Sequence, residues 1–292
     1  MNILVTGAGG QLGHEMQRVA ASDQDNNYTF TDVAPGYECL DITDADAVRI
    51  AMEDRNIQLV INCAAYTNVD KAEADSHTAD LINRQAVANL ATAAASTGAT
   101  LIHISTDYVF GGTGNSPRCE DDVTAPLGVY GRTKLAGEQA VRDSKCNHII
   151  IRTAWLYSQW GRNFVKTMQS LTSTHKMVKV VFDQVGTPTF AGDLANFIAH
   201  IIRTRQLHKT GTYHFTDEGV CSWYDFALLI SRLSGNECDV QPCHSSEFPS
   251  PVERPHFSVL DKTKAKHTFG FPIPHWTDSL RLCISQLANN SL

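Results

Sequence analysis

The chain has 292 residues, of which 42% are hydrophobic and 19% charged, and it carries a formal net charge of −7 at pH 7. That length suits one large core or a nucleotide-binding domain with a smaller companion, and no stretch approaches the roughly 20 apolar residues of a membrane span. The negative charge offers nothing to a nucleic-acid backbone, so neither nucleic acid nor membrane is expected as a partner.

Residues 1–6 enter a strand pattern with no basic start and no cleavable apolar segment, which leads to the expectation of a cytoplasmic protein. The eight cysteines are scattered along a chain large enough not to need staples, so reduced thiols are expected. Cys238, Cys243 and His244 lie close together, but their spacing matches no zinc pattern and no second ligand pair follows; no metal is expected there.

Short apolar runs at 3–5, 28–32, 59–65, 100–105 and 148–152 read as strands. Between them, 12–21, 44–55, 75–97 and 134–144 are long and Ala-rich enough to be crossover helices, with Thr43 or Asp44 and Asp75 as N-caps. This alternation predicts the α/β class, a Rossmann-like doubly wound parallel sheet. After Trp155 the regularity breaks: Pro188, Pro242, Pro249, Pro251, Pro255, Pro272 and Pro274 gather there, with helical patches at 163–171, 193–204, 223–233 and 278–288. Residues 1–155 are therefore read as a dinucleotide-binding domain, completed by parts of 190–216. Residues 156–292 are read as mainly a smaller C-terminal substrate-binding domain.

Gly7-Ala8-Gly9-Gly10-Gln11-Leu12-Gly13 follows the first strand and opens the first helix, so its glycines bring backbone N–H groups onto a pyrophosphate. Asp32, at the end of the second strand, is the acid expected to accept from an adenosine ribose. A 2′-phosphate would meet its charge there, which favours NADH over NADPH without excluding either. Asp41, Ile42, Ala64, Ala65, Tyr66 and Thr67 lie at or just beyond strand ends, on the edge where such folds place a dinucleotide.

Tyr130 and Lys134 are four residues apart, hence on one face if the segment is helical. A cation beside a phenol lowers its pKa toward the range useful for proton transfer. Thr106, in Ser105-Thr106-Asp107 at the end of the fourth strand, supplies a hydroxyl for the same oxygen. Thr106, Tyr130 and Lys134 beyond a dinucleotide turn point to carbonyl reduction.

These residues resemble the extended short-chain dehydrogenase/reductase superfamily, and within it the reductases of dTDP-linked 4-keto sugars. The likeness is carried by Gly10-Gln11-Leu12-Gly13, the run from Val60 to Glu73, Ser105 to Phe110, Val129 to Glu138, Arg152-Thr153-Ala154-Trp155 and Arg254-Pro255. It implies NADPH or NADH as cofactor, a dTDP-sugar as partner, and Tyr130 as proton donor to the sugar 4-keto oxygen beside the cofactor, with Lys134 tuning it and holding the nicotinamide ribose and Thr106 sharing the oxygen. It implies cofactor contacts at Gly10, Gln11, Leu12, Asp32, Asp41, Ile42, Ala65, Tyr66 and Thr67. Sugar-nucleotide contacts are implied at Thr106, Asp107, Tyr130 and Trp155, with Asn163 toward the sugar and Arg254 toward the diphosphate.

Some members of that group are dimers bridged by magnesium on glutamates. Here Glu15 is present, but Gly192 stands where a second acid would fall, Asp193 is one residue on, and 287–292 has no carboxylate side chain. One glutamate is a poor magnesium site, which puts that metal and a homodimer built on it in doubt. Two other readings stay open. Another nucleotide-sugar 4-reductase, dehydratase or epimerase would share the fold, yet dehydratases read Thr-Asp-Glu where this chain has Thr106-Asp107-Tyr108, without the carboxylate that elimination needs. A non-catalytic dinucleotide-binding regulatory subunit would not need the whole Thr106, Tyr130 and Lys134 set.

Overall fold

The computed structural model describes all residues except Pro249, Pro251 and 290–292, so two of the prolines noted above and part of the 287–292 stretch lie outside the described residues. The first half runs β1 (Asn2–Thr6), α1 (Gln11–Ala20), β2 (Asn27–Thr31), α2 (Ala45–Asp54), β3 (Leu59–Asn62), α3 (Val69–Ala74), α4 (Ser76–Asp80), α5 (Ala86–Thr97), β4 (Thr100–Thr106), α6 (Val129–Asp143) and β5 (Asn147–Thr153). Then follow β6 (Leu156–Tyr157), α7 (Phe164–Thr174), β7 (Met177–Val181), β8 (Val185–Gly186), β9 (Thr189–Phe190), α8 (Ala191–Arg203), β10 (Gly211–His214), β11 (Cys221–Ser222), α9 (Trp223–Leu233), β12 (Asp239–Cys243), α10 (Thr263–Phe269) and α11 (Trp276–Asn289). Among these described residues no helix is long and apolar enough to cross a membrane.

Six strands form one parallel sheet in the order β10-β5-β4-β3-β1-β2. The apolar runs are continuous because alternate side chains enter cores on opposite faces. Ile3, Val5, Ile61, Ile102 and Ile151 pack with α1 and α8 on one face, while Leu4, Val60, Leu101 and Ile150 pack with α2 and α5 on the other. A third core, around Tyr157, Phe226 and Trp276, joins α7, α9 and α11 in the second half. The chain leaves β1 to the right for β2 and returns to the left for β3, so the topological switch lies between β1 and β3.

Three expectations change in detail. The single helix expected over 75–97 is broken by a π-helical turn at Leu81–Gln85. Within it the Asn83 side chain accepts from Tyr66 N at 2.9 Å and donates to Tyr66 O and Thr133 Oγ1, both at 3.1 Å. A methyl at Gly137 would stand 2.2 Å from Asn83 O, so α6 and the widened turn touch backbone to backbone. The helix expected from Lys134 begins instead at Val129, whose N–H is taken by the Glu73 carboxylate at 2.7 Å. Asp44 caps α2 through Asp46 N and Ala47 N, and Asp75 stands at the N-cap of α4 as expected, but its side chain makes no cap hydrogen bond and accepts from the Tyr66 phenol.

Candidate active site

The C-terminal ends of β1, β3, β4 and β5 open onto a cleft of about 910 Å³. Its floor at the switch point is the glycine turn. Gly7 is left-handed, at φ 67°, and a Cβ there would stand 2.6 Å from Ala64 N; at Gly13 it would meet Gly7 O at 2.3 Å. Both positions require glycine. Gly10 is the N-cap of α1 and has no side chain to cover the first N–H groups, which face where an anion would sit. A dinucleotide fits this cradle, since Gly7 and Gly13 pack the turn tightly onto the start of α1 while Gly10 leaves the helix N–H groups without a side-chain cap.

Of the expected cofactor residues, Gly7, Gly10, Gln11, Leu12, Asp32, Asp41, Ile42, Ala64, Ala65 and Thr67 line the cleft, as do Tyr130 and Lys134. Gly13 and Tyr66 do not. Gly13 lies beneath the turn, and the Tyr66 ring turns away to Asp75 while its backbone is held by Asn83. Asp32 also fixes its own loop, accepting from Gly9 N at 2.9 Å and Ala34 N at 3.0 Å. The Gln11 side chain reaches across to the second half, accepting from Asn163 Nδ2 at 2.9 Å and Ser158 Oγ at 3.2 Å.

Thr106, Asp107, Trp155, Asn163 and Arg254, expected to meet the sugar nucleotide, also line the cleft. Asn163 is largely occupied: it caps α7 through Lys166 N and donates to Gln11, Ser158 O and Trp160 O. Arg254 grips both oxygens of Asp70 at 3.0 Å. Trp155 stands at φ 49°, a strained conformation for a large residue, and stacks on Trp223. Trp223 and Arg162 line the cleft too and were not picked out from the sequence. The signal for Trp223 was present: Ser222 and Asp225 form a capping box that puts Trp223 in the first turn of α9.

Tyr130 and Lys134 sit one turn apart on α6, as their spacing predicts. Burial, the largest influence, holds the Tyr130 phenol above its ordinary value, and the hydrogen bond with Thr106 only partly offsets this. The expected lowering by Lys134 is not what the structure shows, because the Lys134 ammonium donates to Ile104 O at 2.6 Å. Lys134 is itself buried, which brings it down to about 8. Thr106 Oγ1 donates to Asp107 Oδ1 at 3.0 Å, and burial raises Asp107 to about 6. Ser105, its strand neighbour, donates instead to Glu138 at 2.6 Å, so Thr106 is the hydroxyl associated with Tyr130.

Glu15 and Asp193, the acids named beside the doubtful magnesium, are both engaged within the chain. Glu15 is buried and ion-paired with Arg18 at 2.8 Å, and Asp193 is buried and accepts from Ser279 Oγ at 2.6 Å. A side chain at Gly192 would collide with the Phe190 ring at 2.4 Å.

A doubly wound parallel sheet with a glycine turn at its switch point and a Thr, Tyr and Lys set beside it defines a Rossmann-fold oxidoreductase of the short-chain dehydrogenase/reductase type. The chain belongs to the family described as "RmlD substrate binding domain", whose model matches residues 1–289. It is 39% identical over 298 residues to the dTDP-4-dehydrorhamnose reductase of Escherichia coli K12, covering 98% of each chain. Its fold is similar to that of a dTDP-4-dehydrorhamnose reductase from Clostridium acetobutylicum, with 45% identity, a TM-score of 0.93 and coverage of 99% and 100% of the two chains. The Bacillus anthracis dTDP-4-dehydrorhamnose reductase in complex with NADP is similar at 35% identity and a TM-score of 0.90, over 98% and 99%.

Proposed function

We propose that the chain reduces the 4-keto group of dTDP-4-dehydro-6-deoxy-L-mannose, giving dTDP-L-rhamnose, with NADPH or NADH as reductant. The observation that carries this reading is that Thr106, Tyr130 and Lys134 share one cleft with the glycine turn, in a chain matching dTDP-4-dehydrorhamnose reductases almost end to end.

The nicotinamide, when bound, supplies a hydride to C4. Tyr130 gives its proton to the sugar 4-oxygen, so that the ketone gains one hydride and one proton and becomes an alcohol. Burial keeps that proton on the phenol until an acceptor arrives. Thr106 donates to the same oxygen, and Lys134, one turn further along α6, is the residue that would hold the nicotinamide ribose. Trp155 and Asp107 bound the sugar, Arg254 lies toward the diphosphate, and the part of the chain after Trp155 serves mainly as the substrate-binding domain. Elimination is disfavoured because Tyr108, whose ring stands edge-on to Tyr130 at 5.5 Å, brings no carboxylate. We place the enzyme in the cytoplasm, where nucleotide sugars are made.

The test is the fall in NADPH and, separately, NADH absorbance when the purified protein meets the 4-keto-6-deoxy-L-lyxo sugar linked to dTDP. Stoichiometric oxidation with dTDP-L-rhamnose formed supports the proposal, and the two rates rank the cofactors. Dinucleotide binding with no oxidation overturns it in favour of another sugar nucleotide or a non-catalytic role.

A further inference from the structure

We infer that Arg162 binds the pyrophosphate of the dinucleotide, closing over the first turn of α1 from the opposite wall of the cleft. The inference rests on the reading that the cleft holds a dinucleotide.

Three cations line the cleft. Lys134 is committed to Ile104 O and Arg254 to Asp70, each within hydrogen-bond distance. Arg162 is exposed, and among the described residues no hydrogen bond or ion pair engages its side chain. The cleft also contains the carboxylates of Asp32, Asp41 and Asp107, so an incoming pyrophosphate needs a nearby cation beyond the helix N-terminus.

The loop that carries Arg162 is built against the turn that receives the pyrophosphate. Gln11, the first residue of α1, donates to Leu156 O at 3.4 Å and accepts from Ser158 and Asn163, on either side of the loop. His14, one turn along α1, stacks on Trp160 with ring centroids 4.4 Å apart. Gly161 is left-handed at φ 62°, and a Cβ there would lie 3.5 Å from Gln11 Cγ. Arg162 therefore leaves the loop next to the residue whose backbone N–H opens the α1 anion site, and the following residue, Asn163, is fixed as the α7 N-cap. Gln11 thus does two jobs: its backbone belongs to the phosphate cradle, and its side chain holds the loop that brings a guanidinium to the same place. A guanidinium suits this position because its planar fork pairs with phosphate oxygens on two sides.

The experiment is fluorescence titration of NADH and NADPH into the full-length wild type, Arg162→Ala and Arg162→Lys, with calorimetric titration of dTDP in parallel. A charge-assisted hydrogen bond to phosphate predicts that Arg162→Ala weakens both dinucleotides by the same factor, about 5- to 30-fold. Arg162→Lys should recover most of the loss, and dTDP should bind unchanged. Equal affinity of Ala variant and wild type for both dinucleotides overturns the role of Arg162 while leaving the cleft reading intact. A loss confined to NADPH overturns the pyrophosphate assignment in favour of the 2′-phosphate, and a loss confined to dTDP overturns it in favour of the sugar nucleotide. Failure of the wild type itself to bind either dinucleotide overturns the cleft reading. Should the Ala variant fold poorly by circular dichroism, Arg162→Gln, which keeps the length of the side chain, carries the same prediction.

Discussion

The Trp155 and Trp223 rings stack 3.5 Å apart between centroids and 10° from parallel, joining the end of β5 to the first turn of α9. The stack holds Trp155 in its left-handed backbone, and Gly186 makes room for it, since a Cβ at 186 would stand 2.8 Å from the indole. A stacked aromatic pair contributes about 0.5–1.5 kcal/mol beyond its buried area, so Trp223→Ala should raise the KM for the sugar nucleotide roughly two- to tenfold. The Kd for NADPH should stay the same. Steady-state kinetics beside a cofactor titration checks this, and an effect on the cofactor alone would show that the stack does not serve the sugar.

Tyr130→Phe removes only the phenolic proton. Loss of a positioned proton donor lowers kcat by about 10²–10⁴, while the Kd for NADPH should be unchanged. Single-turnover rates measured with preformed cofactor complex separate the two effects. A variant with full rate removes Tyr130 from the mechanism.

Asp107 predicts a pH dependence of stability. It is buried, its Oδ2 has no protein partner, and burial raises it from 3.8 to about 6. The folded chain therefore binds the proton more tightly than the unfolded one. Its contribution to stability is full below the ordinary carboxylate pKa and is lost as the pH rises through about 6. Two units correspond to about 3 kcal/mol at most. Asp107→Asn should remove this loss, so urea unfolding at pH 4 and pH 7 should differ less in the variant than in the wild type. An unchanged difference would mean that Asp107 ionises freely.

Glu138 is the buried anchor of α6. It accepts from Arg152 twice at 2.8 Å, from Arg142 at 2.7 Å and from Ser105 at 2.6 Å. Burial, the largest single influence, would raise its pKa, but Arg152 together with Ser105 and Arg142 outweighs that and keeps it below the ordinary value. Glu138→Ala leaves Arg152, itself 2% exposed, without its counter-charge, and the cost of such a loss is about 3–5 kcal/mol. Chemical denaturation reads it directly; a loss under about 1 kcal/mol would show that water reaches Arg152.

What the sequence displays is mainly local. Ile3 to Val5 followed by Gly7 and Gly10 announces a strand, a turn and a helix, because hydrophobic period and glycine conformation act within a few residues. Tyr130 and Lys134 are legible for the same reason, being one turn apart. Asn83 is not: its side chain widens a helix by bonding to Tyr66 and Thr133, 17 and 50 residues away. The direction of the Lys134 ammonium is likewise settled by strand β4, whose Ile104 O it meets, and cannot be read from spacing. Arg162 looks like any loop cation until Gln11 is seen to hold its loop against α1.

The central claim, reduction at C4 with the chain's own proton donor, is tested most directly by supplying cofactor labelled with deuterium at the transferable C4 position of the reduced nicotinamide. The sugar product is then analysed by mass spectrometry and proton NMR. The account predicts one deuterium at C4 of dTDP-L-rhamnose, with one cofactor oxidised per sugar. Product with no deuterium, or sugar turnover that leaves the cofactor pool reduced, would contradict it.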